Sequence, residues 1–299
     1  MVLFVAEFTT NHMGNLNLLF KMAESAKQYG ADFIKMQKKD VESFYSQDKL
    51  NSEFFSPYGK TYREYRQIFE FSKEDFQRFD KKCQELNINW FTTIQDEKSM
   101  FDMLEFNLPM YKVASCNSNN NKFLDAIKMN IPKDKTLVIS VAGRTLEDIS
   151  CIIKKFEDYN LYILHCVAEY PCIAQHLRLG NIARLKKEFE TEKIKIGYSG
   201  HETGIMASLA AIDMGAELVE RHFCQSRKSF VHHIECSLEP NEFKHMVDLS
   251  EQENLKELYE PYLAPISYQE KFGMTEIESE FLLKNHYGNT FLKHSAGCF

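Results

Sequence analysis

Eight short runs of β-branched, aromatic and aliphatic residues punctuate this chain, each followed by a longer amphipathic stretch, and that alternation limits the possible folds more than any other feature. The runs are VLFVAEF (2–8), ADFIKMQ (31–37), NWFTTI (89–94), MYKVAS (110–115), TLVISVA (136–142), LYILHCV (161–167), KIKIGYS (193–199) and ELVERHF (217–223). Their length and composition predict strands. Residues 16–29, 73–87, 97–106, 121–129, 145–158, 181–189, 203–214 and 240–258 predict helices. Ser72 and Asp75 have the spacing of a capping box, and Gly30 and Gly215 stand where helices must stop. Strict alternation implies parallel strands joined by right-handed crossovers. A closed (βα)8 TIM barrel accounts for the count of eight. An open doubly wound sheet is the other solution, but no Gly-rich dinucleotide turn follows the first strand. The 299 residues suit a barrel, for which about 250 is usual.

The expected organisation is a barrel domain over 1–259 and a C-terminal extension over 260–299. Residues 38–70 form a long β2–α2 insertion, polar and rich in aromatics (Phe44, Tyr45, Phe54, Phe55, Tyr58, Tyr62, Tyr65). A connection of that length in a compact domain is usually a functional lid or disordered, and the lid is the expectation here. The net charge of −7 argues against nucleic acid and anionic membrane as partners. No uninterrupted apolar run reaches the roughly 18 residues that a membrane-crossing helix needs. The N-terminus lacks a basic region and meets Glu7 early, so it reads as a strand and not a secretory signal. Eight cysteines scattered without a C-x-x-C pair point to reduced thiols and a cytoplasmic location.

In a barrel, reactive side chains gather at the carboxyl ends of the strands. Here those ends carry Glu7, Lys35, Gln37, Thr93, Lys112, Ser115, Ser140, His165, Ser199, His201 and His222. Lys35 and Lys112 each follow an apolar run. Either one alone reads as a lysine that packs its stem and extends its amine to water. Together with Ser115, Ser140 and Ser199 they suggest a cradle for phosphate or carboxylate. His201 and His222 lie on neighbouring strands about 4.8 Å apart, close enough to share a divalent ion such as Mn or Zn, or to form a hydrogen-bonded pair at the rim. His232 and His233 follow in the next loop. Glu7, with Asn11 and His12 after it, is a candidate acid/base, or a buried carboxylate satisfied by a lysine.

These segments resemble the N-acetylneuraminate (sialic acid) synthase family of phosphoenolpyruvate-condensing barrels. The likeness runs from about residue 3 to 250, through AEFTTNHMGN (6–15), IKMQ (34–37), FTTIQD (91–96), YKVAS (111–115), LHCVAEYP (164–171), GYSGHETG (197–204), ERHF (220–223) and CSLEP (236–240). The resemblance implies an enzyme that joins phosphoenolpyruvate to an N-acylmannosamine-type aldehyde, giving a nine-carbon 2-keto acid and phosphate. It implies that Lys35, Thr93, Lys112, Ser115, Ser140 and Ser199 hold phosphoenolpyruvate, and that Glu7, Gln37 and Tyr170 face the substrates. His201 and His222 correspond to manganese ligands. Several positions depart from the family pattern. The usual Ser-Asp-His reads Ser199–Gly200–His201, an aspartate is replaced by His233, a sugar-facing glutamate by Asn117, and an asparagine near the phosphate by Ala168. A C-terminal antifreeze-like domain, through which family members pair, is not expected here, so a homodimer would rest on barrel surfaces or the tail. The departures suggest an altered acceptor, one with fewer donors or with a negative charge, and His233 as an added catalytic or metal-binding residue. Related syntheses of eight-carbon acids, and a non-catalytic anion-binding barrel, are the alternative functions.

Overall fold

The structure, a computed structural model, describes residues 2–284. Eight parallel strands close into a barrel: β1 (Leu3–Glu7), β2 (Phe33–Lys38), β3 (Asn89–Ile94), β4 (Met110–Val113), β5 (Thr136–Ser140), β6 (Asn160–His165), β7 (Ile194–Gly200) and β8 (Leu218–His222). Each pairs with its neighbours in sequence, and β8 closes on β1 with Glu7 opposite His222. The eight crossover helices are α1 (Leu16–Gln28), α2 (Lys73–Leu86), α3 (Glu97–Leu104), α4 (Asn121–Asn130), α5 (Leu146–Lys155), α6 (Gly180–Phe189), α7 (Met206–Asp213) and α8 (Pro240–Ser250). Ser72 and Asp75 do form a reciprocal capping box at the start of α2. Gly30 and Gly215 adopt positive φ after α1 and α7, where a side chain would be strained.

Alternation along each strand builds the interior in layers. Val5, Phe91, Met110, Val138, Leu164 and Leu218 point inward and pack as an apolar plug. Two residues further along every strand, the next inward position meets the mouth, and there the residues turn polar. The outward positions pack against the helices in one large continuous core.

The β2–α2 insertion is folded. Short helices at Val41–Phe44, Gln47–Asn51 and Tyr62–Gln67 flank a hairpin of Glu53–Ser56 and Gly59–Thr61. Its aromatic side chains pack on one another, with Tyr65 against Phe54 and Phe69 at centroid distances of 4.5 and 5.1 Å. It reaches across the mouth to the β8–α8 loop, where the Tyr58 hydroxyl donates to the Phe230 carbonyl at 3.0 Å and Tyr65 meets His232 at 5.1 Å.

From the other side, the segment after α8 returns over the barrel. Arg178 donates to the Gly273 carbonyl at 2.9 Å, and the helix Glu276–Lys284 brings Phe281 and the buried Leu282 into the mouth. The part of the extension expected beyond residue 284 lies outside the described residues. No helix among the described residues is long and apolar enough to cross a membrane. Cys83, Cys116, Cys166, Cys172, Cys224 and Cys236 are buried free thiols, whereas Cys151 is disulfide-bonded, a departure from the expectation of reduced thiols throughout.

Candidate active site

At the carboxyl end of the barrel a cavity of about 80 Å³ is lined by Glu7, Lys35, Gln37, Thr93, Lys112, Ser115, Ser140, Tyr170, Ser199, His201 and His222, all singled out from sequence. Gln95, Cys116, Cys166, Glu220, Phe281 and Leu282 also line it. A larger apolar groove of about 600 Å³ lies outside this ring, between Ile173, Ile205 and Leu263. Among the described residues no lysine lines it.

The two lysines are not free cations awaiting an anion, as the sequence suggested. Lys112 Nζ lies 2.5 Å from Glu220 Oε1, and Lys35 Nζ lies 3.2 Å from the same oxygen. Lys35 also sits 2.7 Å from Glu7 Oε2 and donates to Thr93 Oγ1 at 3.0 Å. The Ser199 hydroxyl donates to Glu220 Oε1 at 3.0 Å. Two ammonium groups and two carboxylates therefore neutralise each other in a buried site, the condition under which buried charge is tolerated.

Environment separates the four groups. Burial alone would raise the Glu220 carboxyl, but Lys112 and Lys35 hold it at about 2. Glu7 is pushed up by burial and by the nearby Glu220 charge, against the pull of Lys35. Burial would depress Lys35, but Glu220 and Glu7 raise it. Lys112 is lowered by burial, which Glu220 offsets only in part and the neighbouring Lys35 charge reinforces. Glu7 is held in place by Gln37 Nε2 at 2.7 Å and the Thr9 backbone N–H at 3.0 Å. Among the described residues, the buried Ser140 hydroxyl, one Glu220 oxygen and the Gln95 side-chain carbonyl have no hydrogen-bond partner. Groups left so inside a cavity are poised for a polar ligand.

His201 and His222 come together with ring centroids 5.4 Å apart. The His201 Nδ1–H donates to the Val167 carbonyl at 2.8 Å, which turns the Nε2 lone pair toward the cavity. Burial keeps both rings neutral, His201 at about 3 and His222 well below its usual value. A neutral imidazole is the form that ligates metal. Among the described residues no group of three His, Cys, Asp or Glu side chains is disposed to hold an ion. A metal here would complete its shell from substrate or water.

Three expected residues stand outside the cavity wall. His165 is one residue out of phase: Leu164 and Cys166 point inward, so His165 points to the helices and bonds the Leu177 carbonyl at 2.8 Å. Asn117 sits in a 3-10 turn with its amide on the Gln95 carbonyl at 2.9 Å, a brace between strand ends. His233 adopts left-handed backbone and packs on Tyr170 at 4.1 Å, with its ring 6.3 Å from that of His222. Its place is beside the aromatic wall. Asn11 and His12 brace the β1–α1 loop, with Asn11 donating to the Phe223 carbonyl and Ser237 Oγ, and His12 accepting the Gly14 N–H at 3.1 Å.

Glu220 went unnoticed in the sequence, although its position two residues before His222 places both on the inner face of β8. Between them Arg221 points outward and is completely buried, bonding Glu202 Oε1 at 2.6 Å, Ser208 Oγ at 2.8 Å and the Gly204 carbonyl at 2.7 Å. This pair explains the departure at Gly200. A Cβ there would stand 2.5 Å from Glu202 Oε2 and 2.9 Å from Arg221 Cδ. The Glu202 carboxylate, held by Arg221, anchors the loop that carries His201.

A family model described as the NeuB family matches residues 22–257. The chain belongs to the NeuB family. It is 35% identical over 251 residues to an N-acetylneuraminate-9-phosphate synthase of Drosophila melanogaster, a match covering 81% of this chain and 65% of the fly protein. It is 27% identical to an N,N'-diacetyllegionaminic acid synthase of Legionella pneumophila, over 81% of this chain and 69% of that protein. Its fold is similar to that of a sialic acid synthetase from Leptospira borgpetersenii solved in complex with citrate, with TM-score 0.73 and 25% identity over 93% of this chain and 89% of the other. This NeuB-family chain therefore spans about two thirds of the length of the curated relatives it matches.

Proposed function

We propose that this NeuB-family barrel condenses phosphoenolpyruvate with a six-carbon N-acylated aldose, giving a nine-carbon 3-deoxy-2-keto acid and inorganic phosphate. One observation carries the reading: two lysines, several hydroxyls and two neutral imidazoles converge on one buried cavity at the strand ends. Carbon 3 of phosphoenolpyruvate bonds to the aldehyde carbon, water adds at carbon 2, and phosphate departs as the 2-keto group forms. Lys35 and Lys112, with Thr93, Ser115, Ser140 and Ser199, hold the phosphate and carboxylate. The incoming trianion must share the amines with Glu220, which shifts toward its unbonded oxygen as they turn to the ligand. Glu7, whose proton affinity burial raises, passes a proton to the developing alkoxide of the acceptor. Gln37 orients Glu7 from its other oxygen. Tyr170, Phe281 and His233 form an aromatic wall for the sugar, with Tyr170 and Phe281 4.7 Å apart.

His201 and His222 would hold a divalent ion, manganese in this reading, which would polarise the aldehyde oxygen. The folded insertion would screen the cavity from bulk water while carbon–carbon bond formation proceeds, leaving the one water that adds at carbon 2. The relatives divide over the far end of the acceptor. Phosphoenolpyruvate supplies carbons 1 to 3 of the product, so the 9-phosphate in the fly relative's name traces to carbon 6 of its sugar. A homodimer in the cytoplasm, where phosphoenolpyruvate is made, belongs to the same reading, and light scattering tests the dimer.

The decisive assay measures phosphate release from phosphoenolpyruvate with N-acetylmannosamine, or its 6-phosphate, in the presence of Mn²⁺. Release that depends on both the sugar and the metal is expected. No release with either sugar, under conditions where the protein is folded, defeats the proposal.

A further inference from the structure

Among the polar groups of the cavity, the Gln95 side chain has no part in the condensation described above. Inward positions along β3 run from Phe91 in the apolar plug, through Thr93 against Lys35, to Gln95 one residue beyond the strand end. Gln95 is only 6% exposed, and among the described residues its Oε1 has no hydrogen-bond partner. Gln37 is the corresponding inward residue of β2, but its amide donates to Glu7 Oε1 at 2.7 Å. On β4 and β6 the corresponding positions are Ala114 and Ala168, whose side chains carry no polar group.

The main chain on both sides of Gln95 is fixed. Its N–H donates to the Lys38 carbonyl at 3.1 Å, and its carbonyl accepts the Asn117 amide at 2.9 Å. The next residue, Asp96, is completely buried; it caps α3 through the Ser99 N–H at 2.7 Å and takes the Asp40 N–H at 2.8 Å. A side chain anchored in this way is held in one orientation toward the cavity. An unbonded buried carbonyl oxygen costs the unliganded fold free energy, and such groups persist where a ligand supplies the missing donor. That donor cannot come from phosphoenolpyruvate, whose ionised phosphate and carboxylate offer acceptor oxygens only. A sugar hydroxyl offers an O–H.

Position along the rim selects the hydroxyl. Glu7, Gln37 and Gln95 lie on the consecutive strands β1, β2 and β3, so two strand spacings, about 10 Å, separate the acid at the aldehyde from Gln95. Both side chains reach inward, which leaves between them about the span of a four-carbon chain. We infer that Gln95 is a specificity-determining residue of the acceptor site, its Oε1 accepting a hydrogen bond from the sugar hydroxyl at carbon 4. The inference rests on the condensation reading above and names, within it, the acceptor group that is read. Asn117 contributes from outside the cavity wall, by holding the main chain from which Gln95 projects.

The test takes N-acetylmannosamine or its 6-phosphate, whichever releases phosphate, and compares kcat/KM with that of its 4-deoxy analogue. The full chain is used, with Mn²⁺ and saturating phosphoenolpyruvate. Wild type should disfavour the 4-deoxy sugar by about 5- to 100-fold. Gln95→Met, close in size and without the carbonyl, should lose a similar factor on the parent sugar and little on the analogue, so that discrimination between them disappears. KM for phosphoenolpyruvate should stay within about twofold. Because Oε1 is unbonded before the sugar arrives, the same variant should melt at or above the wild-type temperature in differential scanning fluorimetry. A wild type that uses the 4-deoxy sugar equally well overturns the assignment of Gln95 and leaves the condensation reading standing. So does a variant that loses the same factor on both sugars, weakens phosphoenolpyruvate instead, or melts well below wild type, since each marks a different role for the side chain. Absence of phosphate release with either parent sugar overturns both.

Discussion

Replacing Glu220 with glutamine removes one charge from a cluster whose balance depends on it. The carboxylate lies 2.5 Å from Lys112 Nζ and 3.2 Å from Lys35 Nζ. At an effective dielectric of about 20 those contacts represent roughly 7 and 5 kcal/mol of gross attraction. Most of that offsets the desolvation of three buried ions, and removal of one partner from a buried pair costs about 3–5 kcal/mol in practice. Each kcal/mol lowers Tm by about 2–4 °C in a large domain, so the variant should melt roughly 6–20 °C below wild type. The deficit has a specific remedy. In Glu220→Gln the two amines face only Glu7, and an added anion restores neutrality. Phosphate or phosphoenolpyruvate should therefore raise Tm more in the variant than in wild type, by mass action on the folded state. Differential scanning fluorimetry across a phosphoenolpyruvate titration measures both effects. A variant that melts within 2 °C of wild type without ligand, or gains no more from the anion, refutes the charge-balance account.

Two further outcomes are expected. His201→Ala and His222→Ala should each weaken Mn²⁺ affinity by at least tenfold, read by isothermal titration calorimetry, while a fold check by circular dichroism stays near wild type. Arg221→Leu should cost about 3–5 kcal/mol in urea unfolding because Glu202 is left buried without its guanidinium, and Arg221→Leu with Glu202→Leu should recover most of that loss.

The family shares its barrel with chains whose sequences have drifted far. A heptulosonate-phosphate synthase from Thermotoga maritima shares the fold at TM-score 0.62 with only 14% identity. Backbone architecture of this kind is tolerant because the apolar plug and the helix faces ask only for size and polarity. The strand-end ring is less tolerant, since each polar group there depends on a partner from another strand.

That contrast separates what could be read along the chain from what could not. The strand NWFTTI and the helix beginning after Ser72 were legible because their signals are local: a run of β-branched and aromatic residues, and a cap whose two partners are three residues apart. So was the gathering of Lys35, Lys112, His201 and His222, since every parallel strand in a barrel delivers its carboxyl end to the same mouth. Pairing across the barrel was not legible. Nothing near Lys112 in sequence announces a carboxylate 108 residues away, and only the closure of β8 on β1 brings Glu220 to both lysines. The phase of His165 was likewise decided by register, because one residue along a strand reverses the side chain while leaving the composition of the segment unchanged. Residue type and local spacing determined the fold and the ingredients of the site. Long-range contact alone decided which charges neutralise one another.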